Sequence, residues 1–476
     1  MPESLRMVPR DCAHEKQRSQ GVSAPYVRYH IETKETPALV DLPPRFKLKR
    51  LNNCMDVGEC AEVCTYEVHK MIGSKISDPV ENKCRGCFLC YLRCPENAIC
   101  LETNQEFEKL GNSYFTPQRI ETIYFEAGTG RVPVSGTGYR GPFTGKGFDS
   151  MWLDFSEIVR PTRDGIHGRE YISTSVDLGR KLSYLQFGND RKLLSNTPRN
   201  IEIPVPVILD APLACATREN LQLALAKAAA RLETFAVVDA KNYSSDLLPY
   251  KSNLIPRISA DETDRFRDLI MTSRIVEVEF RNEDDAKDQV EEIGRRNPSA
   301  LISFHVPYDG RSCERVEALA KMGCDIAHCY IKDDIVEKHP DVVKDAICSV
   351  HSSLVDSNIR DSITLVSGGG IAEAAHVPKS IILGADAVSV GLAYQIALGC
   401  KACYGEKHAT DCAINVEAEN VELATQRIVN LIGSWRDQLL EILGGMGLRE
   451  VRRERGELGR AMFYEDLEER IFGDGE

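Results

Sequence analysis

Long apolar runs are nearly missing from this chain of 476 residues. Residues 1 to about 50 are polar and proline-containing, without the apolar core of a secretory signal, so export is not expected. The window Ser380 to Cys400 comes nearest to a membrane span, with Asp386 its only charge. Its centre, Gly384-Ala-Asp386-Ala-Val-Ser-Val-Gly391, reads better as a turn and a buried parallel strand, which is apolar on both faces. Excess positive charge is also missing. Lys and Arg number 59 against 72 Asp and Glu, a net charge of −13, which argues against nucleic acid or an anionic membrane as partner. No G-x4-G-K-[ST] occurs, so the glycine-rich stretch from Gly128 to Gly147 is not a nucleotide P-loop.

What is abundant is cysteine, 17 residues in clusters. Clustering points to metal sites in a reducing cytoplasm, not to a disulfide framework. Cys84-Arg-Gly-Cys87-Phe-Leu-Cys90-Tyr-Leu-Arg-Cys94-Pro95 has the spacing C-x2-C-x2-C-x3-C-P of a bacterial-ferredoxin run, whose first three thiolates hold one iron–sulfur cluster and whose fourth serves another. A half-motif precedes it, Cys54-Met-Asp56-Val57-Gly-Glu-Cys60-Ala-Glu-Val-Cys64, with Val57 where the second cysteine would stand. Pseudo-twofold pairing then gives Cys84, Cys87 and Cys90 with Cys64 as a complete [4Fe–4S] site. Cys54, Cys60 and Cys94 form a site of three thiolates, suited to a [3Fe–4S] or a second [4Fe–4S] cluster with a labile corner. Asp56 is a minor alternative ligand. Cys100 is expected to be buried, and Tyr66, Phe88 and Tyr91 to be core packing. A structural zinc knot is the competing reading.

The chain divides by pattern into an extended tail (1–48), a ferredoxin-like iron–sulfur domain (49–101), a glycine-rich lead-in arm (102–200), a (β/α)8 barrel (201–399) and a cysteine-rich segment with C-terminal helices (400–476). The barrel rests on eight β-branched runs alternating with amphipathic stretches, with a doubly wound sheet as runner-up. Val366-Ser-Gly368-Gly369-Gly370-Ile371 follows the seventh run and Gly391 closes the eighth. Barrels bind phosphate with the loops after strands seven and eight, using bare amides and a helix N-terminus. Among cofactors with one terminal phosphate, FMN suits iron–sulfur neighbours, because a flavin takes electrons in pairs and releases them singly. Gly368, Gly369, Gly370 and Gly391 are therefore the candidate cofactor-binding residues. Cys400, Cys403 and Cys412 follow, as a third cluster or a zinc site completed by His408. The run Arg449 to Arg460 is expected to be a solvated helix face.

At these residues the chain resembles the FMN-binding synthase domain of glutamate synthase, in the shorter version joined to a ferredoxin-like module. The likeness runs from about Gly128 to Ser434 and is most specific at Gly369-Gly370, at Gly384 to Gly391, and from Ala397 through Cys400, Cys403 and Cys412. It implies FMN and a [3Fe–4S] cluster at those cysteines. The chain departs from the family pattern at Ala211-Pro-Leu-Ala-Cys215, at His305 where a lysine is usual, and at Cys329-Tyr-Ile-Lys332-Asp-Asp. The resemblance thus implies the cofactor more firmly than the substrate. His305, His328 and Lys332 are the candidate catalytic groups. Met1 is not followed by a nucleophilic cysteine and no glutaminase domain is present, so a separate glutaminase subunit is a candidate partner beside ferredoxin or other redox subunits. Two functions follow: an oxidoreductase of glutamate-synthase type, or an electron-transfer subunit of a larger redox complex whose barrel only holds the flavin.

Overall fold

Eight runs rich in Val, Ile, Leu and Ala hydrogen-bond side by side into a closed parallel barrel. The computed structural model describes residues 29–133, 145–154, 172–181, 186–194, 198–210, 219–402 and 416–466. Met1–His30 separates as its own unit, and every helix and strand among the described residues belongs to the other unit, Ile31–Glu476. The cysteine-rich part contains β1 (Phe46–Arg50), α1 (Glu59–Glu62), the two-residue strands β2 (Met71–Ile72) and β3 (Lys75–Ile76), α2 (Leu89–Arg93) and β4 (Ile99–Thr103). Strands β1 and β4 pair antiparallel, Phe46 opposite Thr103 and Arg50 opposite Ile99.

Residues 104 to 203 are not merely an arm. They carry α3 (Gln105–Glu108), α4 (Pro117–Thr129), β5 (Met151–Leu153), β6 (Val176–Gly179) and β7 (Asn200–Ile203). Helix α4 has clear local causes: the Thr116 hydroxyl accepts from Arg119 N at 3.4 Å, Pro117 presets the first turn, and Gly130 ends it at φ 68°. Strands β6 and β7 pair antiparallel. Gly179 exchanges two 2.8 Å hydrogen bonds with the Thr364 hydroxyl, which fixes this pair at the N-terminal end of the barrel.

The barrel strands are β8 (Val207–Asp210), β9 (Ala236–Asp239), β10 (Leu254–Ile258), β11 (Ile275–Glu279), β12 (Leu301–Pro307), β13 (Ile326–Tyr330), β14 (Thr364–Gly368) and β15 (Ala387–Val390), with β15 closing on β8. Each of the eight expected runs became a strand, because a strand covered on both faces must be apolar throughout. The intervening helices are α5 (Glu219–Arg231), α6 (Arg267–Thr272), α7 (Glu283–Arg296), α8 (Ser312–Met322), α9 (Asp333–Lys338), α10 (Val342–Asp356), α11 (His376–Ile382) and α12 (Leu392–Ala397). In α7 the Asn282 side chain accepts from Asp285 N, acids fill the first turn and Arg295 and Arg296 the last, matching the helix dipole. The expected membrane-like window resolves into α11, β15 and α12. Among the described residues no helix is long and apolar enough to cross a membrane.

The long helix α13 (Val421–Met446) lies on α4, α5 and α12. Its buried Asn430 donates to Lys34 O at 2.7 Å and accepts from Lys34 N at 3.1 Å. Arg427 donates to Pro37 O at 3.0 Å and to Ala397 O at 2.7 Å. Residues 31–40 are thus seated against α4 and α13. The run from Arg449 to Arg460 is not a solvated helix face. It forms two 3-10 turns, Val451–Arg453 and Leu458–Arg460. Val451 and Glu454 are buried, and Arg455 pairs with Asp361 and Asp386. The alternating charges read as solvated because their acidic partners lie far away in sequence.

Candidate active site and cysteine sites

The C-terminal ends of the barrel strands surround an open pocket of about 210 Å³. Its walls include Asp210, Arg257, His305, Tyr330, Lys332 and Ser389, with Gly369, Gly370 and Gly391 at one side. Gly369 and Gly370 have φ of 87° and 71°. A Cβ on Gly369 would sit 2.1 Å from Ile331 O. Among the described residues the amides of Gly369, Gly370 and Ile371 have no backbone partner. Bare amides beside a pocket of this size form a cradle that fits a phosphate. Gly368 does not line the pocket. It ends β14, where an added Cβ would meet Ser389 Oγ at 2.4 Å.

A chain of buried polar groups crosses the pocket floor. Arg257 Nε donates to Glu277 Oε1 at 2.7 Å, and its Nη2 to Asp210 Oδ2 at 3.0 Å. Ser303 Oγ donates to Glu277 Oε2 at 3.0 Å, and His328 Nδ1 lies 2.9 Å from the same oxygen. His328 Nε2 lies 2.7 Å from Ser389 Oγ. Burial alone would raise the Glu277 carboxyl, but Arg257 and His328 overcome it and hold it well below the usual carboxylate range. His305 stacks on Tyr330, centroids 3.8 Å apart and planes 9° apart. Burial, with Arg257 and His328 beside it, pushes His305 well below the usual imidazole value, so the ring is neutral.

Donor atoms of Asp210, His305 and His328 lie within 4.8 Å of one another. Asp210 Oδ2 is taken by Arg257, and both His328 nitrogens are engaged by Glu277 and Ser389. The structure thus brings His305 and His328 together, while Lys332 stands exposed at the rim as the residue before α9. Sequence reading missed Asp210, Arg257 and Glu277. Their signal was present: a charged residue near the end of an otherwise apolar parallel strand points into the barrel mouth.

The module cysteines fall into two sets. Cys64, Cys84, Cys87 and Cys90 line one small cavity. Cys54, Cys60 and Cys94 line a second, with Val57 on its wall. Burial first, with the neighbouring thiols of its own set, raises the Cys90 thiol to about 11. The sets are related by local bonding too. Val68 N donates to Cys64 Sγ at 3.4 Å and Ala98 N to Cys94 Sγ at 3.2 Å, four residues on in each case. Among the described residues no three of these sulfurs lie within 4.8 Å of one another. His69, 3% exposed and with neither ring nitrogen partnered, sits on the wall of the four-cysteine cavity.

Asp56 is turned away from its cavity, accepting from Ile76 N at 3.0 Å. Cys100, expected to be buried, is half-buried on β4 and lines neither cavity. Tyr66, Phe88 and Tyr91 are not core packing: all three are exposed, and Phe88 is held edge-on against Phe46 at 5.5 Å. Cys400 is buried just after α12. Cys12, Cys403, His408, Cys412 and the segment Ala211 to Cys215 lie outside the described residues. All thirteen described cysteines are free thiols.

Comparison with known proteins supports the glycine-loop region first: residues 335–449 match the conserved region in glutamate synthase. The archaeal-type glutamate synthase [NADPH] of Dehalococcoides mccartyi is 26% identical over 483 residues, covering 87% of this chain and 94% of that one. The protein of the same description from Thermotoga maritima is 26% identical over 503 residues, covering 91% and 97%. The archaeal glutamate synthase [NADPH] of Archaeoglobus fulgidus is 24% identical over 505 residues, covering 90% and 96%. Among solved structures, the flavin-binding domain of baker's yeast flavocytochrome b2 matches with a TM-score of 0.42 at 10% identity, covering 78% of this chain and 84% of that one. By its matching region and these relatives, the chain is glutamate synthase-like, similar over most of its length to the archaeal-type glutamate synthases.

Proposed function

We propose that this protein is an FMN- and iron–sulfur-dependent oxidoreductase of glutamate-synthase type. The observation that carries the reading is the sorting of seven cysteines into a set of four and a set of three, in one chain with a barrel-mouth pocket edged by bare glycine amides. Bound FMN would supply paired-electron chemistry at the pocket, and the clusters single-electron transport to it. Gly369, Gly370 and Ile371 would hold the phosphate, with Gly391 at the end of the neighbouring strand β15. Arg257, locked by Asp210 and Glu277, would hold the shape of the pocket floor with its charge already matched. Neutral His305, flat against Tyr330, would form one wall, and His328 between Glu277 and Ser389 is placed to hold or pass a proton. Cys400, with Cys403 and Cys412, would hold a third cluster beyond α12.

The test uses anaerobically purified full-length protein. Visible spectra, extracted flavin and iron with acid-labile sulfide are measured first. Glutamate formation is then assayed with 2-oxoglutarate, ammonia or glutamine, and reduced ferredoxin or NADPH as donor. Flavin, iron and glutamate together support the reading. Cofactors without glutamate under any donor would refute the substrate assignment.

One observation favours a second reading, an electron-transfer subunit of a larger complex. Ile72, Val57, Tyr91 and Leu92, on or beside the cysteine sets, are 69%, 58%, 51% and 72% exposed. Apolar residues gathered at a surface mark partner docking. Under that reading, mild anaerobic purification brings down a stoichiometric redox partner, and the isolated chain has no turnover.

A further inference from the structure

Residues 111–115 form a stiff turn between the cysteine-rich part and α4. Asn112 Oδ1 accepts from Tyr114 N at 2.9 Å and Phe115 N at 2.7 Å, and Asn112 N donates to Phe115 O at 3.0 Å. Gly111 has φ 71°, and a Cβ there would meet Phe115 O at 1.8 Å. The turn is anchored on several sides. Gly111 N donates to Lys401 O at 2.9 Å, next to Cys400, and Ser113 Oγ donates to Glu337 O at 3.1 Å in α9. The Tyr114 hydroxyl, buried, donates to Gly370 O at 2.5 Å. Phe115 lines the barrel-mouth pocket itself.

Behind the turn lies a buried ionic knot. Arg119 stands over the Tyr114 ring at 4.8 Å and donates to Tyr114 O at 2.6 Å. The same guanidinium binds Asp149 at 2.5 Å and Glu373 at 2.8 Å. On the other side His376 Nδ1 lies 3.1 Å from Gly370 O and 3.1 Å from Ala372 N, and its tautomer allows a hydrogen bond with one of the two. The Gly370 carbonyl is therefore held by the Tyr114 hydroxyl, with His376 packed beside it. The Gly370 carbonyl and the Ile371 N–H share one planar trans peptide and point in opposite directions, so holding the carbonyl aims that amide and restrains the two glycine amides just before it.

We propose that Tyr114, held by Arg119, is a positioning residue that aims the amides of Gly369, Gly370 and Ile371 and so sets the grip of the pocket on a flavin phosphate. The proposal rests on the flavin reading above. A clamp on the phosphate loop acts on FMN and not on riboflavin, which lacks the phosphate, and this difference makes it testable.

Flavin-free full-length protein is titrated with FMN and with riboflavin, following quenching of flavin fluorescence. In Tyr114→Phe the FMN affinity falls roughly tenfold, the worth of one buried hydrogen bond, while riboflavin affinity is unchanged. Asn112→Ala, which loosens the same turn without touching the ring, gives a smaller loss with the same selectivity. Unchanged FMN affinity in both variants, or equal weakening of FMN and riboflavin, overturns the proposal. Failure of the unaltered protein to bind FMN at all overturns the flavin reading instead.

Discussion

Replacing Glu277 by glutamine tests the electrostatic account of the pocket floor. Glu277 is 1% exposed and meets Arg257 at 2.7 Å, Ser303 at 3.0 Å and His328 at 2.9 Å. Glutamine keeps the shape but removes the charge that neutralises a buried guanidinium. Breaking a buried pair from one side costs about 3–5 kcal/mol. Asp210 still faces Arg257 at 3.0 Å, so the lower end, about 3 kcal/mol, is expected. The assay is urea unfolding of flavin-free protein, comparing midpoints at equal slope. The pH dependence adds a signature. The folded Glu277 carboxyl lies below its ordinary value of 4.5, so its contribution is fully present above that value. It is lost as pH falls through the folded value. The gap between wild type and Glu277→Gln should therefore hold from pH 7 down to about 5 and narrow below 4.5. A loss under about 1 kcal/mol at pH 7, or a gap that ignores acid, would refute the reasoning.

Val57→Cys supplies a fourth thiolate to the three-cysteine cavity. Iron should rise by about one per chain and the paramagnetic signal of an oxidised three-iron cluster should vanish. The measurement is made in a Cys400→Ala background, to remove any similar signal from that site. His69→Leu takes an N–H from the four-cysteine cavity and should make that cluster harder to reduce, read as a more negative midpoint potential. Glu126 is buried, accepts from Trp435 Nε1 at 2.7 Å, and burial raises its carboxyl from 4.5 to about 8. A raised folded value costs stability progressively between those two pH values. Glu126→Gln keeps the acceptor, so it should match wild type near pH 4.5 and exceed it by a few kcal/mol at pH 8 in thermal melts, at about 1.4 kcal/mol per pH unit.

The barrel was legible because buried parallel strands are short and apolar, and helices between them show a second period. The division of the cysteines was legible because Val57 breaks a fixed spacing. Arg257, Asp210 and Glu277 were not singled out, since a lone charge in a strand has no meaning until the barrel closes and brings three strand ends together. Tyr114 carried no signal at all: its partner Gly370 is 256 residues away. Helix α4 was missed although Thr116, Pro117 and Gly130 mark its limits, because the glycine-rich stretch after it dominated the reading of residues 102–200. The aromatics Phe88 and Tyr91 misled in the opposite sense. Both are exposed, because the short cysteine-rich part has too little interior to cover rings on its surface.

The seating of residues 31–40 on α13 has a consequence for synthesis. Lys34 bonds Asn430 across 396 positions, and Pro37 bonds Arg427 across 390. At ~5–20 residues per second, the ribosome leaves this N-terminal stretch waiting about 20–80 s for its other half. A chain halted before Val421 leaves α4 without the long helix that covers it and these early carbonyls open to any other donor. Residues 31–40 therefore meet these partners only after α13 has been made.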